Sequence, residues 1–89
     1  MKGEKSMAVE KEFFDVKYKE GSLDAKTAQL ILFAVCMSHG YERGANLHLG
    51  KARECGASDD EILEAVVYGM RPPAALARNV ARNLSVKGL

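Results

Sequence analysis

The sequence predicts an all-α fold, a single compact helical domain of about five helices covering residues 1–89. Three observations carry that prediction. Apolar residues recur at steps of three and four along most of the chain, the spacing that gathers side chains on one face of a helix. Residues that cap or break helices, among them Asp24, Gly40, Gly56, Ser58 and Pro72, divide the chain into helix-sized pieces. No strand-like alternation, internal repeat, linker or low-complexity tract competes with this reading.

The first helix is expected from Met7 to Lys19, with Val9, Phe13 and Val16 on one stripe and Phe14 and Tyr18 widening it. Gly21 stops it. Residues 1–22 thus form an N-terminal helical segment ahead of the main body. Ser22 or Asp24 caps the second helix, which runs to about Ser38 and ends at His39-Gly40. The third begins near Tyr41 or Glu42 and reaches Cys55, with Gly56 supplying a left-handed C-terminal residue. Gly44 and Gly50 weaken it but permit close backbone approach. Ser58 and Glu61 form a capping box for the fourth helix, whose apolar face is Ile62, Leu63, Val66, Val67 and Met70. Arg71-Pro72-Pro73 ends that helix, and Pro73 suits the first turn of a fifth. Leu76, Ala77, Val80, Ala81 and Leu84 are expected to face inward from it, leaving Arg78, Asn79, Arg82 and Asn83 outside.

Composition narrows the function. The chain is 47% apolar, and Leu30 to Met37 is an uninterrupted apolar run. A helix apolar on every side is usually central to a larger assembly, and a chain this short buries only about 60% of its unfolded surface alone. A homo-oligomer is therefore expected. Thirteen basic residues balance twelve acidic ones, for a net charge of +1, which gives no reason to invoke nucleic acid. Arg71, Arg78 and Arg82 are a local exception: Arg78 and Arg82, four apart, can flank an anion, although a solvated helix face explains them more simply. No apolar stretch is long enough to cross a membrane, and the first residues lack a signal-peptide pattern, so a cytoplasmic protein is expected. Cys36 and Cys55 have neither a CxxC nor a metal-site spacing and read as two buried thiols. His39 and His48 make a poor metal set, and nothing calls for a metal or another cofactor.

The chemistry centres on YERGANLHLGK, residues 41–51. His48 shares a helical stripe with Tyr41, Gly44, Ala45, Ala52 and Cys55, so it can sit over a pocket or a subunit interface. From Leu23 to Leu84 the chain resembles the carboxymuconolactone decarboxylase family, which includes alkylhydroperoxidase-like disulfide reductases. The resemblance is carried by LDAKTAQLILFAVCMSHG, then His48, Ala52 and Gly56-Ala57, then SDDEILEAVVYGM. It implies an alkylhydroperoxidase-like helical fold, assembly into a trimer or hexamer, and a pocket where helices and subunits meet.

In the family's redox members a glutamate is followed by a cysteine twelve positions on, a second cysteine three further and a histidine four beyond that. Laid back from His48, those places hold Gln29, Tyr41 and Gly44. The thiols that would attack peroxide and resolve the product are absent, and glutamine is no carboxylate base. Three readings follow. In the first, His48 with Tyr41 and Gln29 lines a small-molecule site, with His39, Arg71 or Arg78 available to a ligand. Such a site can extend to decarboxylation of a carboxylated lactone, His48 delivering a proton and an arginine (Arg71, Arg78 or Arg82) holding the carboxylate. In the second, the chain is an oligomeric scaffold and His48 satisfies a helix interface. In the third, Cys36, three residues before His39, acts as a lone peroxidatic thiol, although its apolar surroundings should make it inert.

Overall fold

The computed structural model describes residues 8–88. In chain order these form β1 (Val9–Phe13), β2 (Val16–Glu20), α1 (Ala25–Ser38), α2 (Glu42–Glu54) and α3 (Asp59–Asn83). The described residues are mostly helical, with three helices and a two-stranded sheet instead of five helices.

The expected N-terminal helix is a β-hairpin; its proposed start at Met7 lies outside the described residues. β1 and β2 pair antiparallel, with Val9 opposite Glu20, Lys11 opposite Tyr18 and Phe13 opposite Val16. Those residues share one face. The other face carries Glu10 opposite Lys19 and Glu12 opposite Lys17, two opposite-charge pairs that favour this register. Lys11 also reaches Glu20 at 3.3 Å. Phe14 and Asp15 both take positive φ, 48° and 70°, as the two-residue turn matching strand twist requires. The Phe13 and Phe14 rings stack at 4.5 Å. Val9, Phe13 and Val16 fit a helical stripe and one strand face equally well. The charge pairing and the turn decide for strands.

α1 packs against both α2 and α3. Asp24 is its N-cap, accepting from the Thr27 amide at 2.7 Å, a bond that lowers the carboxyl pKa. His39 closes the helix, and Gly40 takes the left-handed turn at φ 74° that brings α2 back alongside. Gly56, at φ 91°, ends α2 in the same way. The Ser58–Glu61 capping box is present in both directions. Gly44 is buried in a close approach, whereas a side chain at Gly50 would meet nothing within 4 Å, so the expected role of Gly50 in packing does not hold.

The expected fourth and fifth helices are one. α3 continues through Pro72 and Pro73. Two prolines remove two amide donors, freeing the carbonyls of Tyr68 and Gly69, and interior prolines ordinarily break a helix. Here the apolar pattern runs through them without a change of phase, from Ile62 and Gly69 to Leu76 and Val80. Gly69 lets α3 approach α1 closely: a Cβ there would lie 2.7 Å from Met37 Cε and 3.0 Å from the Ala34 carbonyl oxygen.

The core of the single chain is small. Phe33, Ala52 and Ile62 are its buried apolar residues among those described. Leu76, Val80 and Leu84, expected to face inward, are exposed, as are Leu63, Val67 and Met70. The radius of gyration is 17.1 Å, against about 12 Å for a compact chain of this length.

Candidate functional site

The α1–α2 interface brings together five positions singled out from the sequence. α1 presents Gln29 and, two turns later, Cys36; α2 presents His48 and Gly44, with Tyr41 as its N-cap residue. Two steps of four, from Gly44 through His48 to Ala52, place a glycine, an imidazole and an alanine on the α1-facing side. Gly44 and Ala52 are buried and His48 is half-buried, as that stripe requires.

His48 Nδ1 lies 2.7 Å from Gln29 Oε1, in a half-buried setting. Because the amide oxygen only accepts, the Nδ1–H donates. A neutral imidazole held in this way presents Nε2 with its lone pair, ready to accept a hydrogen bond or a proton. A glutamine orients the ring without adding the charge that a glutamate would bring.

The other end of the interface is filled. The Tyr41 amide donates to the Cys36 carbonyl at 2.9 Å. The Tyr41 ring lies over Gly44, where an added Cβ would come within 2.6 Å of Cδ2 and 2.8 Å of Cys36 Sγ. The space into which a side chain at position 44 would grow is thus taken by Tyr41 and the Cys36 thiol. Cys36 is half-buried and Cys55 is exposed at the end of α2; both are free, so the expectation of two buried thiols fails for Cys55.

The remaining candidates lie elsewhere. His39 is exposed, and its Nδ1–H donates to the Val35 carbonyl at 2.9 Å, in its own helix. Among the described residues no hydrogen bond joins it to Cys36. The Arg71 guanidinium sits over the Tyr68 ring, 5.3 Å from its centre. The Tyr68 hydroxyl donates to the Glu64 carboxylate, which raises the phenol pKa. Arg78 and Arg82 are exposed in the second half of α3. No hydrogen bond or ion pair links these arginines to Gln29 or His48 among the described residues.

One pair escaped the sequence reading. Lys26, one turn before Gln29, bonds Glu61 of α3 at 2.8 Å. The hydrogen bond to Glu61 and then its charge raise the Lys26 pKa; the bond from Lys26 and then the Ser58 amide lower that of Glu61. The two residues are far apart in the sequence, so only the packing of α1 on α3 reveals them. Beside them runs an open apolar groove floored by Leu30, Ile31, Ala34 and Ala65. Neither this groove nor those near Pro72 and the hairpin include His48.

No described helix is long and apolar enough to cross a membrane. No curated protein and no solved structure gives a significant match to the chain. The model of the carboxymuconolactone decarboxylase family matches residues 7–82, taking in the hairpin as well as all but the last residue of the helical region. With most of its length matched and no CxxC pair in its sequence, the chain belongs to the carboxymuconolactone decarboxylase family.

Proposed function

We propose that this protein is a non-thiol member of its family in which Gln29 and His48 form the polar end of a small-molecule site within a homo-oligomer. The observation that carries the reading is the 2.7 Å contact between His48 Nδ1 and Gln29 Oε1; in a neutral imidazole that bond leaves Nε2 as the acceptor. A ligand offering a hydroxyl or an acidic C–H or O–H matches that acceptor, and removal of such a proton is the chemistry that a neutral imidazole can support. Thiol-based peroxide reduction does not fit, because Tyr41 and Gly44 stand where the cysteine pair would be. A lone-thiol mechanism at Cys36 finds no support in His39, whose Nδ1 is committed to its own helix. Decarboxylation of a carboxylated lactone needs a cation at the site, and the arginines of α3 make no bond to it.

Assembly is part of the same reading. The small core and the exposed side chains of the Leu30–Met37 run favour burial against further copies, as a trimer or hexamer. A scaffold role is the second reading; it is favoured by the position of the open grooves away from His48. One experiment separates the two. The His48 imidazole resonances are followed by NMR during titration with small hydroxy acids, lactones and enolisable ketones, alongside His48→Ala. We expect at least one compound class to shift those resonances and to lose its binding in His48→Ala, with the oligomer mass unchanged. If no class shifts them, and the variant lowers only thermal stability, the bond is structural and the scaffold reading stands.

A further inference from the structure

We infer that α3 pairs antiparallel with α3 of a second copy of this chain, across a two-fold axis near Arg71. The inference rests on the homo-oligomer reading above and names the surface that builds it.

The charges of α3 are segregated along its length. Asp59, Asp60, Glu61 and Glu64 occupy the first half, which has no basic residue. Arg71, Arg78 and Arg82 follow, and the rest of the helix has no acidic one. A parallel pair of such helices would set like charges together; an antiparallel pair sets acid against base. The positions agree at higher resolution. Counted by helical steps, Asp60, Glu64, Arg71, Arg78 and Arg82 fall along one flank of α3. In an antiparallel pair related by a two-fold axis, that flank meets the same flank of the other copy. A register centred on Arg71 places Glu64 opposite Arg78 and Asp60 opposite Arg82.

The stripe beside that flank is apolar and uncovered. Leu63, Val67 and Met70 are 61%, 45% and 55% exposed. The same stripe continues through Ala74, Ala77 and Ala81. In nearly the same register the large residues of one copy meet the alanines of the other: Leu63 against Ala81, Val67 against Ala77, and Met70 against Ala74. Large side chains opposite small ones permit close packing of two helices. Arg71 of each copy approaches the axis, with its guanidinium drawn back over Tyr68.

The occupant is a second copy because one helix carries both complementary halves, as a self-complementary two-fold contact requires. A two-fold contact generates an even assembly, so of the two expected forms it favours the hexamer over a closed trimer.

The test combines charge reversal with cross-linking. Association of the wild type is measured by analytical ultracentrifugation beside Arg78→Glu/Arg82→Glu and the fourfold variant that adds Asp60→Arg/Glu64→Arg. We expect the double variant to associate at least tenfold more weakly and the fourfold variant to recover most of that loss. Far-UV circular dichroism checks that helicity is unchanged. Independently, Arg71→Cys in a Cys36→Ser/Cys55→Ser background should give a covalent dimer with a short bismaleimide, whereas Asn46→Cys in the same background should not. An oligomer that is insensitive to charge reversal and does not cross-link at position 71 overturns the pairing but leaves the oligomer reading intact. A monomeric wild type overturns both.

Discussion

The two ends of the α1–α2 interface differ in kind. At one, Gln29 and His48 meet through a single directed hydrogen bond, with an imidazole nitrogen left over. At the other, Cys36, Tyr41 and Gly44 are in close packing contact. In the thiol-bearing pattern that the sequence resembles, both ends would carry chemistry: an acid–base pair at positions 29 and 48, and two cysteines at 41 and 44. Here position 29 is a neutral amide bonded to His48, while Tyr41 and Gly44 pack against Cys36. The two ends therefore rest on separate local contacts, one polar and one steric.

The largest effect is expected at the filled end. Gly44→Cys pushes its Cβ into the Tyr41 ring and Cys36 Sγ, and overpacking of this kind costs about 1–3 kcal/mol, more than the few tenths gained in helix propensity. Thermal melts should show a drop of several degrees. Two of the three nearest atoms belong to Tyr41, so Tyr41→Cys/Gly44→Cys should recover much of the loss, seen as a favourable coupling energy in a double-mutant cycle. Equal stability of Gly44→Cys and wild type would show that this end is not filled.

At the polar end the effect is smaller. Gln29→Leu removes one hydrogen bond, worth about 1 kcal/mol, and releases the imidazole from its fixed tautomer. Nitrogen-15 shifts of His48 should report the Nδ1–H form in the wild type and a mixture in the variant. A mixture already present in the wild type would remove the basis for Nε2 as the free acceptor.

The smallest effect is in pH. The Lys26–Glu61 pair flanks the polar end and is partly exposed, so its contribution is modest and screened by salt. Glu61 is held below its ordinary carboxylate value in the folded state, so its contribution is complete above that value and is lost as pH falls through the lowered one. Lys26 is held above its ordinary value, so its share is lost only as the solution becomes strongly alkaline. Lys26→Met should flatten the acid limb of stability against pH in low-salt denaturation curves. An unchanged acid limb would show that the pair adds nothing to the α1–α3 contact.

What the sequence disclosed follows from how local each signal was. Asp24, Gly40, Gly56 and the Ser58–Glu61 box act within one turn of chain, and the structure uses each as expected. The spacing of Gly44, His48 and Ala52 fixed the inner side of α2, and the resemblance singled out Gln29 as the residue corresponding to the family's glutamate. The hairpin was hidden because its apolar residues satisfy both periods and its turn, Phe14-Asp15, lacks the usual glycine. The continuity of α3 was hidden because a proline pair normally marks an end. The motifs that carry the resemblance begin at Leu23, whereas the family match begins at residue 7, ahead of the hairpin.

The sequence by itself determined a mostly helical member of this family without a CxxC pair. Those properties reside in residue identity and in spacings shorter than one helix. Only the tertiary structure decided that Gln29 orients His48, that Tyr41 and Cys36 fill the space beside Gly44, and that Lys26 holds Glu61. These partners lie on different helices, and the distance between two helices is set by side-chain packing that no periodicity encodes.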